Sequence, residues 1–232
     1  GHGKVNLKQA LEQSCNCYFI HLGLQLGAEK VEQAARLCGY GTETCYMGTL
    51  TTAKGNLPDA QQLENLGQLA SISFGQGALT ATPIQVAASI NVFANQGRYI
   101  EPTFVEGIVN EYSQTVTQSL YSPIQRQAFR PDTAETIREM LVSVVENGLG
   151  SPAQPLHGGA GGKTGTAQTG RFQEDGEEIM DAWFAGFYPA ENPQYTIAVL
   201  LDSGTYSSDD AAEIFGKVAT DLGMYLGVQD EY

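Results

Sequence analysis

Basic residues are scarce in this 232-residue chain: 12 Lys and Arg stand against 26 Asp and Glu, a net charge of −14. A surface of that sign repels phosphate backbones, which excludes nucleic acid as a partner. No apolar run reaches the length of about 18 residues that a bilayer-crossing helix needs. No signal peptide is visible, and the abrupt opening Gly1-His2-Gly3 reads as that of a fragment or a tag scar. The three histidines, His2, His21 and His157, are scattered. The four cysteines, Cys15, Cys17, Cys38 and Cys45, include no Cys-x-x-Cys pair. No metal-ligand spacing results, so neither a metal nor a cofactor is expected. Cys38 and Cys45 flank a glycine-containing loop and leave two readings open, a disulfide in an oxidising compartment or two free thiols.

What is present describes a globular protein, 42% hydrophobic and 16% charged, with enough length for one substantial core. Good helix formers fill Val5 to Gln13, and an apolar run follows Ser14-Cys15-Asn16 from Cys17 to Leu26. Ser and Asn compete with the backbone for hydrogen bonds, so the plain reading of Ser14-Cys15-Asn16 is an N-cap between two helices. A further helix spans Ala28 to Leu37, ended by Gly39. Residues 39–60 read as irregular. Ser73-Phe74-Gly75-Gln76-Gly77 reads as a turn whose glycines supply positive φ. Thr82-Pro83 opens a helix with Val86, Ile90 and Phe93 on one face, closed by Asn95-Gln96-Gly97. Residues 103–121 alternate as a hairpin, and Pro131 to Asn147 is the clearest amphipathic helix, with Ile137, Met140, Leu141, Val144 and Val145 on one side.

The second half changes period. Gly161 to Gln168, Asp181 to Tyr188 and Gln194 to Asp202 read as strands with short links, hence an antiparallel meander. A last helix, Ser208 to Leu226, carries the stripe Ala211, Phe215, Val218, Leu222 and Tyr225. Helices, then strands, then a covering helix make an α+β fold. One domain is expected, with residues 1–147 as its mainly helical part and 158–232 as its sheet part.

The chemistry concentrates in Gly162-Lys163-Thr164-Gly165-Thr166-Ala167. On a strand, Lys163 and Gly165 face one side while Thr164 and Thr166 face the other. Gly165 leaves that side open to a close approach by a substrate or another backbone. The Lys163 ammonium offers a compact positive charge to a carboxylate and favours deprotonation of a neighbouring hydroxyl. Threonine hydroxyls and strand N–H groups suit a carboxylate or an oxyanion. The plain alternative is a solvated lysine at a strand end.

Lys163-Thr164-Gly165-Thr166 resembles the third active-site motif of penicillin-binding proteins, and Ser14-Cys15-Asn16 resembles their second, S-x-N. The order, the separation, the block from Ser73 to Gly97 and the strand pair from Ala182 to Asp202 are similar to the monofunctional (class B) D,D-transpeptidases. The resemblance implies the penicillin-binding and β-lactamase-like transpeptidase fold. It implies an enzyme that acylates itself on a serine with the D-Ala-D-Ala end of a peptidoglycan stem peptide, and that β-lactams trap. It assigns Ser14 and Lys163 as catalytic, and Asn16, Thr164, Gly165 and Thr166 as substrate-binding. The implied setting is cell-wall synthesis on the outer face of a bacterial cell membrane, beside division or elongation machinery.

One motif is absent. Residues three before the six lysines are Gly1, Val5, Gly27, Thr51, Ala160 and Ile214, so no Ser-x-x-Lys tetrad exists. In the family that tetrad holds the nucleophile and precedes S-x-N. The chain is therefore expected to be the C-terminal part of a transpeptidase domain, silent by itself, with an incomplete sheet whose open edge invites self-association. A serine β-lactamase or β-lactam sensor, and a non-catalytic scaffold of the same fold, are the competing readings.

Overall fold

The computed structural model describes residues 2–43, 45–46, 50–105, 107–118, 122–202 and 205–228. Three helices come first, α1 (Leu7–Glu12), α2 (Asn16–Leu26) and α3 (Ala28–Leu37). The stretch expected to be irregular contains a minimal antiparallel pair, β1 (Cys45–Tyr46) with β2 (Leu50–Thr51). Next come α4 (Leu66–Ile72) and α5 (Pro83–Ala94). Helix α4 went unseen in the sequence because its seven residues, LGQLASI, include Gly67 and Ser71, weak helix formers. Asn65 starts it, accepting from the backbone N–H groups of Gly67 and Gln68.

Strand β3 (Arg98–Ile100), the hairpin β4 (Gly107–Val109) and β5 (Thr115–Gln118), and β6 (Gln125–Gln127) lead to α6 (Pro131–Asn147). The expected hairpin is there as β4–β5, with a bulge between Ile108 and Val109. The pairing of β3 with β6 spans it and was not legible locally. The sheet part follows as β7 (Gly161–Phe172), β8 (Glu178–Tyr188) and β9 (Tyr195–Leu201), antiparallel in the order β7-β8-β9, and α7 (Ser208–Leu226) covers it. The architecture is α+β, as the change of period implied.

The main core lies between the sheet and α7, where Phe184 and Phe215 pack with ring centroids 4.7 Å apart, both fully buried. The expected stripe on α7 is displaced. Ala211 and Phe215 are buried, but Val218 is 40% and Tyr225 84% exposed. The buried face is instead Ala211, Ala212, Phe215, Gly216, Ala219 and Gly223. Small residues let the helix axis come close to its neighbours: a Cβ on Gly216 would lie 3.1 Å from the backbone of Pro152 and Ala153. On α5 the same offset occurs, since Gln85, Ala88, Ser89 and Val92 are buried rather than Val86, Ile90 and Phe93. A hydrophobicity stripe misses faces buried by small or hydrogen-bonded residues.

Truncation of Phe215 to Ala should lower the unfolding free energy by about 3–5 kcal/mol, as for other fully buried aromatics. Denaturant titration checks this, and a loss below about 1 kcal/mol would mean that α7 does not close the core.

Candidate active site

Two distant segments make the site. The first is the link from α1 to α2. Cys15 N–H donates to Ala10 O at 2.9 Å and Ser14 N–H to Leu11 O at 3.2 Å, with Ser14 at φ 50°. That pattern is a Schellman ending of α1, with Ser14 in the left-handed position usually held by glycine. The N-cap reading of the sequence is thus corrected: Ser14 ends α1. The N-cap of α2 is Cys15, which makes no side-chain cap hydrogen bond. The Ser14 hydroxyl at this turn accepts a hydrogen bond from Lys163.

The second segment is β7. Its first residues pair with β8 in regular register, Lys163 opposite Ala185, Thr164 opposite Phe184 and Gly165 opposite Trp183. Gly162 sits where a Cβ would meet the Phe184 ring and Ala185 O, so this end of the strand lies tight against β8.

Lys163 joins the two. Its Nζ donates to Ser14 Oγ at 3.0 Å, to Thr164 Oγ1 at 3.1 Å and to Thr164 O at 3.2 Å. Three acceptors match the three N–H bonds of an ammonium. Burial pushes the Lys163 pKa down to about 8. At pH 7 roughly a tenth of the amine is then neutral. A lysine so placed can take and return the proton of the hydroxyl it touches.

The frame behind the pair is a clamp between α1 and α6. Ser143 Oγ donates to Glu12 Oε1 at 2.5 Å, and Asn147 Nδ2 to Ser143 Oγ at 3.2 Å. Leu149 N–H donates to Glu12 O at 3.0 Å. Glu12 is two residues from Ser14, and Leu149 opens the segment that leads into β7. Both halves of the site are therefore referred to one turn.

Of the other residues expected in the site, Thr164 lies beside Lys163 and is half-buried. Asn16 is the first residue of α2 and is exposed, two positions from Ser14. Gly165 and Thr166 continue β7, with Thr166 exposed. Sequence reasoning missed Gln76, whose Nε2 donates to Thr166 O at 2.8 Å. The signal available was a polar residue between two turn glycines, and those glycines do have φ 82° and 81°. Among the described residues no cluster of three or more His, Cys, Asp or Glu side chains could hold a metal ion. The Cys38–Cys45 question falls on a side chain outside the described residues; burial pushes the Cys38 thiol up to about 11.

In this α+β fold the Lys-Thr-Gly strand and the S-x-N turn meet at a half-buried lysine that holds a serine hydroxyl. The chain belongs to the penicillin binding protein transpeptidase domain family, which matches residues 1–220. It is 31% identical over 241 residues to Stage V sporulation protein D of Bacillus subtilis, covering 99% of this chain and 36% of that protein. To the peptidoglycan D,D-transpeptidase MrdA of Acinetobacter baumannii it is 30% identical over 228 residues, 91% of this chain and 34% of that one. The crystal structure of penicillin binding protein 3 from Mycobacterium tuberculosis in complex with aztreonam superposes with a TM-score of 0.82 at 25% identity. That match covers 98% of this chain and 53% of the other. The chain thus spans about a third of the length of these two curated relatives.

Two measurements check the geometry. An NMR titration of the Lys163 side chain should give a midpoint near 8; a midpoint at the ordinary lysine value of about 10.4 would mean an open, hydrated amine. Ser14→Gly and Ser14→Ala both remove the hydroxyl, but only glycine relieves the left-handed backbone. Ser14→Gly should therefore be the more stable by about 1 kcal/mol in thermal or chemical unfolding, and equal stabilities would argue against the Schellman assignment.

Proposed function

We propose that this chain carries the Lys-Thr-Gly and S-x-N half of an acyl-transfer site that cross-links peptidoglycan stem peptides in a longer polypeptide. The observation that carries this reading is the 3.0 Å hydrogen bond from Lys163 Nζ to Ser14 Oγ, made by a lysine whose pKa burial has lowered to about 8. In this reading the nucleophilic serine is supplied from outside these 232 residues, which contain no Ser-x-x-Lys.

The chemistry follows in two steps. The serine oxygen bonds to the carbonyl carbon of the penultimate D-Ala, and the C–N bond to the terminal D-Ala breaks. The leaving nitrogen takes up a proton relayed by Ser14, whose own hydroxyl proton is replaced from the serine side. An acceptor amine then attacks the ester, returning the proton by the same route and restoring the serine. Lys163 holds Ser14 in place and tunes its acidity by exchanging between ammonium and amine. Asn16 hydrogen-bonds the substrate backbone. The Thr164 and Thr166 hydroxyls and the positive field of Lys163 bind the terminal carboxylate. The open side at Gly165 admits the substrate, and the Thr166 N–H stabilises the oxyanion.

β-Lactams bind the same site in this reading, consistent with the aztreonam complex of the Mycobacterium tuberculosis protein. The active protein works on the outer face of a bacterial membrane, anchored by a segment elsewhere in the polypeptide. Among the described residues no helix is long and apolar enough to cross a membrane. Partners in division or elongation machinery belong to that longer protein. The outer edge of β9 pairs with a further strand of it, or with a second copy when the chain is alone.

A fluorescent penicillin tests the proposal. It should label the longer protein covalently and leave the 232-residue chain unlabelled. Labelling of the short chain would contradict the division of the site, and failure to label the longer protein would contradict acyl transfer. Size-exclusion chromatography with light scattering checks the edge: a self-associated short chain is expected, and a strictly monomeric one would count against it.

A further inference from the structure

Ser14 is placed by its backbone. Its Oγ accepts from Lys163, and its N–H donates to Leu11 O at 3.2 Å, so the hydroxyl goes where the end of α1 goes. Helix α1 has six residues, too few to be stable without tertiary support, and Ala10 is its one buried residue. Its apolar anchoring is thin.

Polar contacts to the end of α6 supply the rest, and they converge on Glu12. Its backbone carbonyl accepts from Leu149 N–H at 3.0 Å. A Cβ on Gly148 would lie 2.7 Å from that same oxygen, so the approach needs a glycine. The Glu12 side chain is only 16% exposed, and its Oε1 accepts from the buried Ser143 hydroxyl at 2.5 Å. A hydroxyl donating to a carboxylate at that length is among the stronger hydrogen bonds a protein makes. Asn147 Nδ2 donates to Ser143 Oγ at 3.2 Å, which occupies a lone pair and leaves the Ser143 proton for Glu12. Lys8, 3.9 Å from the same carboxylate and 53% exposed, adds little by comparison.

We propose that Glu12 is a positioning residue for the Ser14 relay: anchored by Ser143, it sets where the Ser14 hydroxyl meets Lys163 and so how fast the acyl step runs. The proposal rests on the acyl-transfer reading. Glu12 touches no reacting atom and moves no proton. It acts through the acceptor oxygen that Ser143 holds, with its charge secondary. The Lys163 bond to Ser14 is 3.0 Å long, so a drift of about 0.5 Å at the end of α1 takes it beyond hydrogen-bond length.

The test is acylation of the longer protein by benzylpenicillin, with the saturating rate constant and the binding constant read separately. Glu12→Ala should lower the rate constant on the order of a hundredfold, the loss that a misplacement of about 1 Å brings, and leave the binding constant nearly unchanged. Ser143→Ala should do the same, and the double variant should lose no more than either, because all three sever one contact. Glu12→Gln keeps the Oε1 acceptor and should keep most of the rate. Rates are taken on variants that give a cooperative melting transition; should Glu12→Ala fail to do so, Ser143→Ala, which leaves α1 untouched, carries the test. A rate constant that does not move, a loss confined to binding, losses that multiply in the double variant, or a Glu12→Gln as slow as Glu12→Ala each overturns the proposal. A wild-type protein that takes no label sinks the acyl-transfer reading and this proposal together. A labelled wild type whose variants acylate at the same rate sinks the role of Glu12 alone.

Discussion

The hydrogen bond from Lys163 to Ser14, closed across 149 residues of chain, is the constraint on which the rest depends. It requires a strand end and a helix-helix turn to meet within 3.0 Å. Much of the architecture serves that meeting. The α7-covered sheet fixes β7, and the Glu12–Ser143 contact ties α1 to α6. A buried lysine is costly to charge unless its protons are placed. Here all three are placed on acceptors from the same two segments, so the interaction that could destabilise the fold is the one that defines its site.

The serine illustrates how function and stability pull apart. A left-handed residue after a helix is held most cheaply by glycine. Serine at φ 50° gives up some of that stability and gains a hydroxyl aimed at the lysine. Rule-breaking of this kind is expected at sites rather than in cores.

Much of the frame was legible in the chain. Long periodic helices, three strands after a change of period, and the turn glycines at 75 and 77 came from spacing and punctuation. The candidate site was legible to the extent that Lys163 and Ser14 do meet, because Lys163-Thr164-Gly165-Thr166 and Ser14-Cys15-Asn16 are joined by an order and a separation that neither motif has alone. What stayed hidden has physical reasons. Helix α4 is short and contains glycine and serine. The pairing of β3 with β6 is non-local. Faces of α5 and α7 are buried by Ala, Gly, Ser and Gln, which no hydrophobicity pattern reveals. The Schellman turn at Ser14 looked like an N-cap because Ser and Asn serve both ends of helices. Gln76 was invisible because its partner lies 90 residues away.

In the proposed function Ser14 and Lys163 act as one unit through the 3.0 Å contact between them. A double-mutant cycle on penicillin acylation of the longer protein measures that coupling most directly, with Ser14→Ala, Lys163→Ala and the pair. Residues that act as a unit are strongly non-additive. The account predicts that the double variant is about as slow as Lys163→Ala alone. Losses that simply multiply would show that the two side chains touch but work independently, and would contradict it.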